Sequence, residues 1–254
     1  MTNKSSKQTT SNPAVAAVPV IMKLLDVRKD IVDKPGWNAR SDARTTALGS
    51  KDKEGVYGPD NSANKRDIDD TECALGVDGL AADMAKNGQL QPILVRPEGL
   101  AGKYSVIAGF KRLAAVRLLT ASKTPVFGME PSQIRAEVVH VTELGARSVN
   151  LRENFARNDL VGPDSCYGIA AYVTAYQAEN DGKKPSSVFV AQELGISQSH
   201  ANRCLHINAG LDPDVFAKWR DSDAPLATIT VASISDKPHA EQMKLYTEKV
   251  DTKT

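Results

Sequence analysis

The sequence predicts an α+β protein: a small α/β unit followed by an all-helical unit. Two observations carry this. Up to about residue 141, short apolar runs such as Ile93-Leu94-Val95 and Tyr104-Ser105-Val106-Ile107 alternate with segments of helical spacing. From Glu143 onward the apolar residues recur almost entirely at helical intervals. The hydrophobic share of 41% and charged share of 25% are those of a globular chain, and 254 residues suffice for one large domain or two modest ones.

Residues 1–20 read as a flexible tail. Leu24 to Val27, with Ile31-Val32, predicts a first strand that Pro35-Gly36 ends. Residues 41–75 carry mixed charge, many turn formers and little apolar periodicity, so a mobile insertion is expected there. Order returns near Val77, where Leu80, Ala81, Met84 and Ala85 fall on one helical face and Asn87-Gly88 supplies a stop. Ile93 to Val95 predicts a buried strand closed by Pro97, and Tyr104 to Ile107 a second. Ala108-Gly109 feeds a helix to about Leu119, with Leu113, Val116 and Leu119 on its apolar face. The β-branched run Ile134 to Val141 predicts another strand. Helices are then expected over 143–156, 164–179, 187–194, 198–208, 213–220 and 238–249. The domain boundary falls at 141/142.

Within the helical unit, residues 187–208 have the pattern of a helix-turn-helix. Ala191 is the small residue needed where two helices cross, and Gly195, four residues on, tolerates the positive φ of the turn. Val190, Leu194, Ile196, Ala201 and Cys204 can close a small core, and Ser197 is placed to cap the second helix. That helix is expected to expose Gln198, Ser199, His200, Asn202 and Arg203, groups able to reach base edges and phosphates of double-stranded DNA. The same pattern also suits an ordinary helical hairpin with a glycine cap. A net charge of +1 exerts no strong pull on a polyanion, so DNA binding needs positive charge gathered on one face.

Other chemistry is poorly represented. Three cysteines, Cys73, Cys166 and Cys204, are too few and too scattered for a disulfide framework, and Cys204 reads as core. The four histidines lack zinc-site spacing. No run approaches the roughly 20 apolar residues of a membrane span, and Ala14 to Met22 is a weak imitation of a signal sequence, so a cytoplasmic protein is expected.

Four segments occur in a recognisable order: GLAADMAKNGQLQPILVR at 79–96, YSVIAGFKRLAAVRLL at 104–119, NLRENFARNDL at 150–160, then the helix-turn-helix. Together they resemble the ParB family of partition proteins, from about Leu24 to about Val250. The resemblance implies a ParB/sulfiredoxin-like N-terminal α/β domain that binds CTP and a helical domain that binds DNA, with both ligands controlling a dimeric clamp. Gly109, Phe110, Lys111 and Arg112 then occupy the phosphate loop, where a helix N-terminus offers free N–H groups. Glu153 and Asn154 resemble the family's residues near the divalent ion, taken as Mg²⁺, and Asn154 and Arg157 fall with the nucleotide set. By spacing alone, Glu153 and Arg157 read as an i,i+4 salt bridge on a solvated helix; the resemblance is what assigns them to the site.

Where ParB proteins carry Glu-Arg after the loop glycine, this chain has Phe110-Lys111. The glutamate is linked to hydrolysis in the family, so nucleotide binding with little or no turnover is expected. A ParA-type ATPase is an implied partner, although the tail before Asp26 has Lys4 and Lys7 and no arginine. A homodimer is implied as well. The family's C-terminal dimerisation segment has no counterpart here, so dimerisation is expected through the two predicted units or through a segment outside this sequence. Two alternatives share the fold: a repressor without a working nucleotide site, and a ParB-like nuclease, for which the clustered carboxylates of a two-metal site are missing from the pattern.

Overall fold

The computed structural model describes residues 21–34, 76–99, 101–157, 160, 162–222 and 224–252. The expected tail (1–20) and insertion (41–75) lie outside them.

The first unit is a four-stranded sheet of β1 (Ile21–Asp26), β2 (Ile93–Pro97), β3 (Tyr104–Ala108) and β4 (Gln133–Val138), in the order β1-β4-β2-β3. β1 pairs antiparallel with β4, β4 parallel with β2, and β2 antiparallel with β3. Side chains alternate across a strand, and here Leu25, Ile93, Val95, Ile134, Ala136 and Val138 all join one core. Two helices complete that core, α1 (Val77–Asn87) through Leu80, Ala81 and Met84, and α2 (Phe110–Ala121) through Leu113, Val116 and Leu119. The predicted first strand begins earlier than expected and ends at Asp26; Ile31 forms only an isolated bridge to Tyr104. Pro97, expected to close β2, is its last residue and still pairs with Tyr104. Gln89 ties the loop before β2 to β4, donating to the Arg135 carbonyl at 3.0 Å and accepting from the Arg135 N–H at 2.6 Å.

The second unit consists of α3 (Glu143–Ala156), α4 (Gly162–Glu179), α5 (Ser187–Leu194), α6 (Gln198–Gly210), α7 (Pro213–Asp221), α8 (Thr228–Ser235) and α9 (His239–Asp251). Six of these follow the expected spans to within two residues, but α8 was not expected. Its sequence, TITVASIS, is rich in β-branched residues that favour strands. Burial of Val231 and Ile234 in the helical core overrides that preference. Trp219 is fully buried there, its indole N–H donating to the Leu226 carbonyl at 2.8 Å. Among the described residues, no helix is long and apolar enough to cross a membrane.

Gln242 on α9 is wholly buried and holds three connections together. It accepts from the Asp212 N–H at 2.7 Å and donates to the carbonyls of Gly210 (2.9 Å) and Lys237 (2.8 Å). Gln242→Leu keeps the bulk but leaves those three backbone groups unpaired, each costing about 1–3 kcal/mol. We expect urea denaturation to show a loss of about 3 kcal/mol; a change below about 0.5 kcal/mol would mean that water takes over the three bonds.

Candidate functional site

Gly109 leaves β3 with φ 94° and ψ 28°, a left-handed conformation that strains any residue with a Cβ. A Cβ there would also meet the Ile93 side chain at 2.8 Å and the Ile93 Cα at 3.2 Å. No side chain caps α2, so the first-turn N–H groups lack an intrahelical acceptor. Phe110 is partly buried and packs both on the sheet core and on the cluster around Ile107 and Ala146. Lys111 is half-buried.

Arg112 departs from expectation. It is buried, and its guanidinium donates to the carbonyls of Gln91 and Pro92, bracing α2 against the lead-in to β2. Its charge therefore lies beneath the loop, where it supports the local geometry.

α3 meets the same loop from the other side. Asn150, buried, donates to the Ile107 carbonyl at 2.6 Å, two residues before Gly109. Asn154, one turn on, is also buried and donates to the Asn150 carbonyl at 2.8 Å. Asn150 was missed as a site residue, although a signal existed: with Ala146 and Asn154 it marks i, i+4 and i+8 on one helical face, two polar residues where core is expected. Glu153 and Arg157 pair with each other at 3.2 Å, both partly exposed. Such a partly exposed pair adds little stability. Among the described residues, no group of three or more His, Cys, Asp or Glu side chains is placed to hold a metal. A single carboxylate at Glu153 suits Mg²⁺ only where phosphate oxygens and water supply the remaining ligands.

In the helical unit, Gly195 ends α5 at φ 69°, and Ser197 caps α6 by accepting from the His200 N–H at 3.2 Å. Val190, Ala191, Leu194, Ala201 and Cys204 are buried behind this turn. Ser197, Gln198, Ser199 and Asn202 are exposed. His200 and Arg203, expected on the same exposed face, are only half-exposed. With Phe155 they line an open cleft of about 500 Å³ between the end of α3 and the start of α6. His200 stands edge-on to Phe155 with ring centroids 6.0 Å apart, and its Nε2 lies 3.7 Å from the Cys204 sulfur. The sulfur contact raises the imidazole pKa above its usual value, against the opposing effect of burial. The segment carrying Glu153 and Asn154 thus rests through Phe155 on the helix carrying Gln198 and Asn202.

A strand-to-helix glycine loop braced by Arg112 and Asn150 lies within residues 60–155, which match the ParB N-terminal domain family. That part of the chain is similar to ParB N-terminal domains. Among characterised relatives, the nucleoid occlusion proteins of Bacillus pumilus and Bacillus licheniformis are 31% and 29% identical to it over 120 residues, 47% of this chain in both cases. The match takes in 35% and 36% of those proteins, so the chain spans about a third of the length of the curated relatives it matches. Similar solved structures include C-terminally truncated ParB from Caulobacter crescentus complexed to the centromeric parS site, at 21% identity and a TM-score of 0.40 over 68% of this chain and 81% of that one. The same protein complexed with CTP-gamma-S aligns at 17% identity and a TM-score of 0.31, over 88% of this chain and 98% of that one. A Pnob8-like ParB-N domain aligns at 13% identity and a TM-score of 0.46, over 86% and 80%.

Proposed function

We propose that this chain is a sequence-specific, double-stranded DNA-binding protein of the partition and nucleoid-occlusion kind, in which a CTP site on the first domain (21–141) biases the conformation of the second (142–254). The observation that carries the reading is the turn at Gly195–Ser197, which sets Gln198, Ser199 and Asn202 on an exposed face backed by a packed core. Residues 187–208 then act as the helix-turn-helix, with Gln198 and Asn202 reading base edges and Ser197, Ser199, His200 and Arg203 contacting the backbone.

The nucleotide triphosphate fits the uncapped start of α2, where Gly109 to Arg112 present N–H groups and Lys111 adds charge. Glu153 and Asn154 would hold Mg²⁺ against the phosphates once the Glu153–Arg157 pair opens, and Arg157 would turn to phosphate. Nucleotide acts as a switch only if it binds one arrangement of the two domains more tightly than the other; the Phe155–His200 contact is where the two arrangements would differ. The acting form is a homodimer located on the nucleoid or on a plasmid, and a ParA-type ATPase is its partner in segregation.

A footprint on the protein's own genomic neighbourhood, with and without CTP and Mg²⁺, tests this. Protection of discrete sites is expected, with affinity falling steeply as salt rises and with CTP changing the extent of protection. A lone promoter operator indifferent to CTP would instead indicate a repressor, the reading favoured by the inward turn of Arg112. Absence of protection even at low salt would overturn the DNA reading.

A further inference from the structure

Cys166 on α4 and Cys204 on α6 lie 38 residues apart in sequence, yet their sulfurs are 2.9 Å apart. Both side chains are wholly buried. The nucleotide loop makes no use of them, and of the DNA-facing residues His200 touches Cys204. A buried cysteine commonly serves as a small apolar residue, but two features of this pair go beyond packing. The sulfurs face each other directly. In addition, His200 stands 3.7 Å from Cys204 and forms part of the wall of the open cleft, so the buried sulfur touches a residue that lines the cleft. A hydrogen bond with Cys166, aided by His200, lowers the Cys204 thiol pKa despite its burial, while the same bond and burial push the Cys166 thiol up. Cys204 is therefore the nucleophile of the pair and Cys166 the resolving thiol.

We propose that Cys166 and Cys204 are a modification site at which a small peroxide forms a disulfide, and that this bond lowers DNA binding by α6. The second half rests on the assignment of α6 as the DNA-contacting helix. The Cys204 thiolate attacks the nearer peroxide oxygen and the O–O bond breaks, giving a sulfenic acid and a hydroxide that takes up the thiol proton to form water. The Cys166 sulfur then attacks the sulfenic sulfur, the S–O bond breaks, and the departing hydroxide takes the Cys166 proton as a second water. Two thiols have lost two electrons and two protons, and the peroxide is reduced to two waters.

An S–S bond of about 2.05 Å draws the two sulfurs together from 2.9 Å, a shift shared between the two side chains and the packing of α6 on α4. It also removes the ionisable Cys204 thiol beside His200, in the same turn that carries Ser199 and Asn202. The bond thereby changes the packing and electrostatics directly behind the DNA face.

The test uses the full chain with Cys73→Ser, leaving only the buried pair, treated with hydrogen peroxide. Expected are a mass loss of about 2 Da, protection of both thiols from alkylation after denaturation, and a Tm increase of about 5–15 °C. DNA affinity should fall at least tenfold and return with dithiothreitol, and adding Cys166→Ala should abolish both responses. Mass gains of about 16 or 32 Da without the 2 Da loss, or thiols that stay open to alkylation, would overturn the thiol pair. A disulfide that leaves DNA affinity unchanged would overturn the regulatory half. Failure of the reduced protein to bind DNA would overturn the reading of α6 instead, and mass and Tm would still decide the pair.

Discussion

Gly109→Ala is expected to destabilise the protein by about 3 kcal/mol, because two penalties fall on one position. A left-handed backbone costs a residue bearing a Cβ about 1–2 kcal/mol, and φ at Gly109 is 94°. The new methyl would then press on Ile93 at 2.8 Å from its side chain and 3.2 Å from its Cα. Ile93 is fully buried in β2, which pairs with both β3 and β4, so its backbone cannot withdraw. Overpacking of this kind adds about 1–3 kcal/mol. Urea denaturation of the variant, and of Ile93→Ala and the double variant, separates the two contributions. The clash with the side chain disappears in the double variant, so its loss should be smaller than the two single losses combined. Strict additivity would show that backbone conformation alone sets the requirement for glycine.

The same glycine shows what could be read from sequence. Its place between an apolar strand and a helix was legible, as were Leu113, Val116 and Leu119 on the buried face of α2, because strand alternation and helical spacing are local patterns. The turn at Gly195–Ser197 was legible for a similar reason: positive φ and capping are properties of one or two residues. Arg112 was read as a charge aimed at phosphate, whereas its guanidinium reaches carbonyls some 20 residues earlier in the chain. Nothing in the spacing of a helix N-terminus reveals that partner. His200 and Arg203 share α6 with exposed neighbours, and it is Phe155, from a different helix, that half-covers His200. Cys166 and Cys204 meet only because α4 and α6 pack together. What escaped sequence reading is in each case a contact between distant segments.

The second large effect is expected on the exposed face of α6. Gln198→Ala with Asn202→Ala should weaken specific DNA binding by about 10²–10⁴-fold, since a well-placed side-chain pairing to a base edge contributes about 1–3 kcal/mol. Both residues are exposed and lie outside the packed core, so the fold should lose less than about 0.5 kcal/mol. Binding to unrelated DNA rests on phosphate contacts and should change by no more than a few-fold. Specific affinity should therefore collapse towards the non-specific level while the salt dependence is retained. Arg203→Ala makes a useful contrast. Arg203 lines the cleft beside His200 and is only half-exposed, so its loss should weaken specific and unrelated DNA alike. Parental footprints from the double variant would move base recognition away from α6. They would leave residues 187–208 as an ordinary helical hairpin, because the geometry of Gly195 and Ser197 serves either role and only the exposed side chains distinguish them.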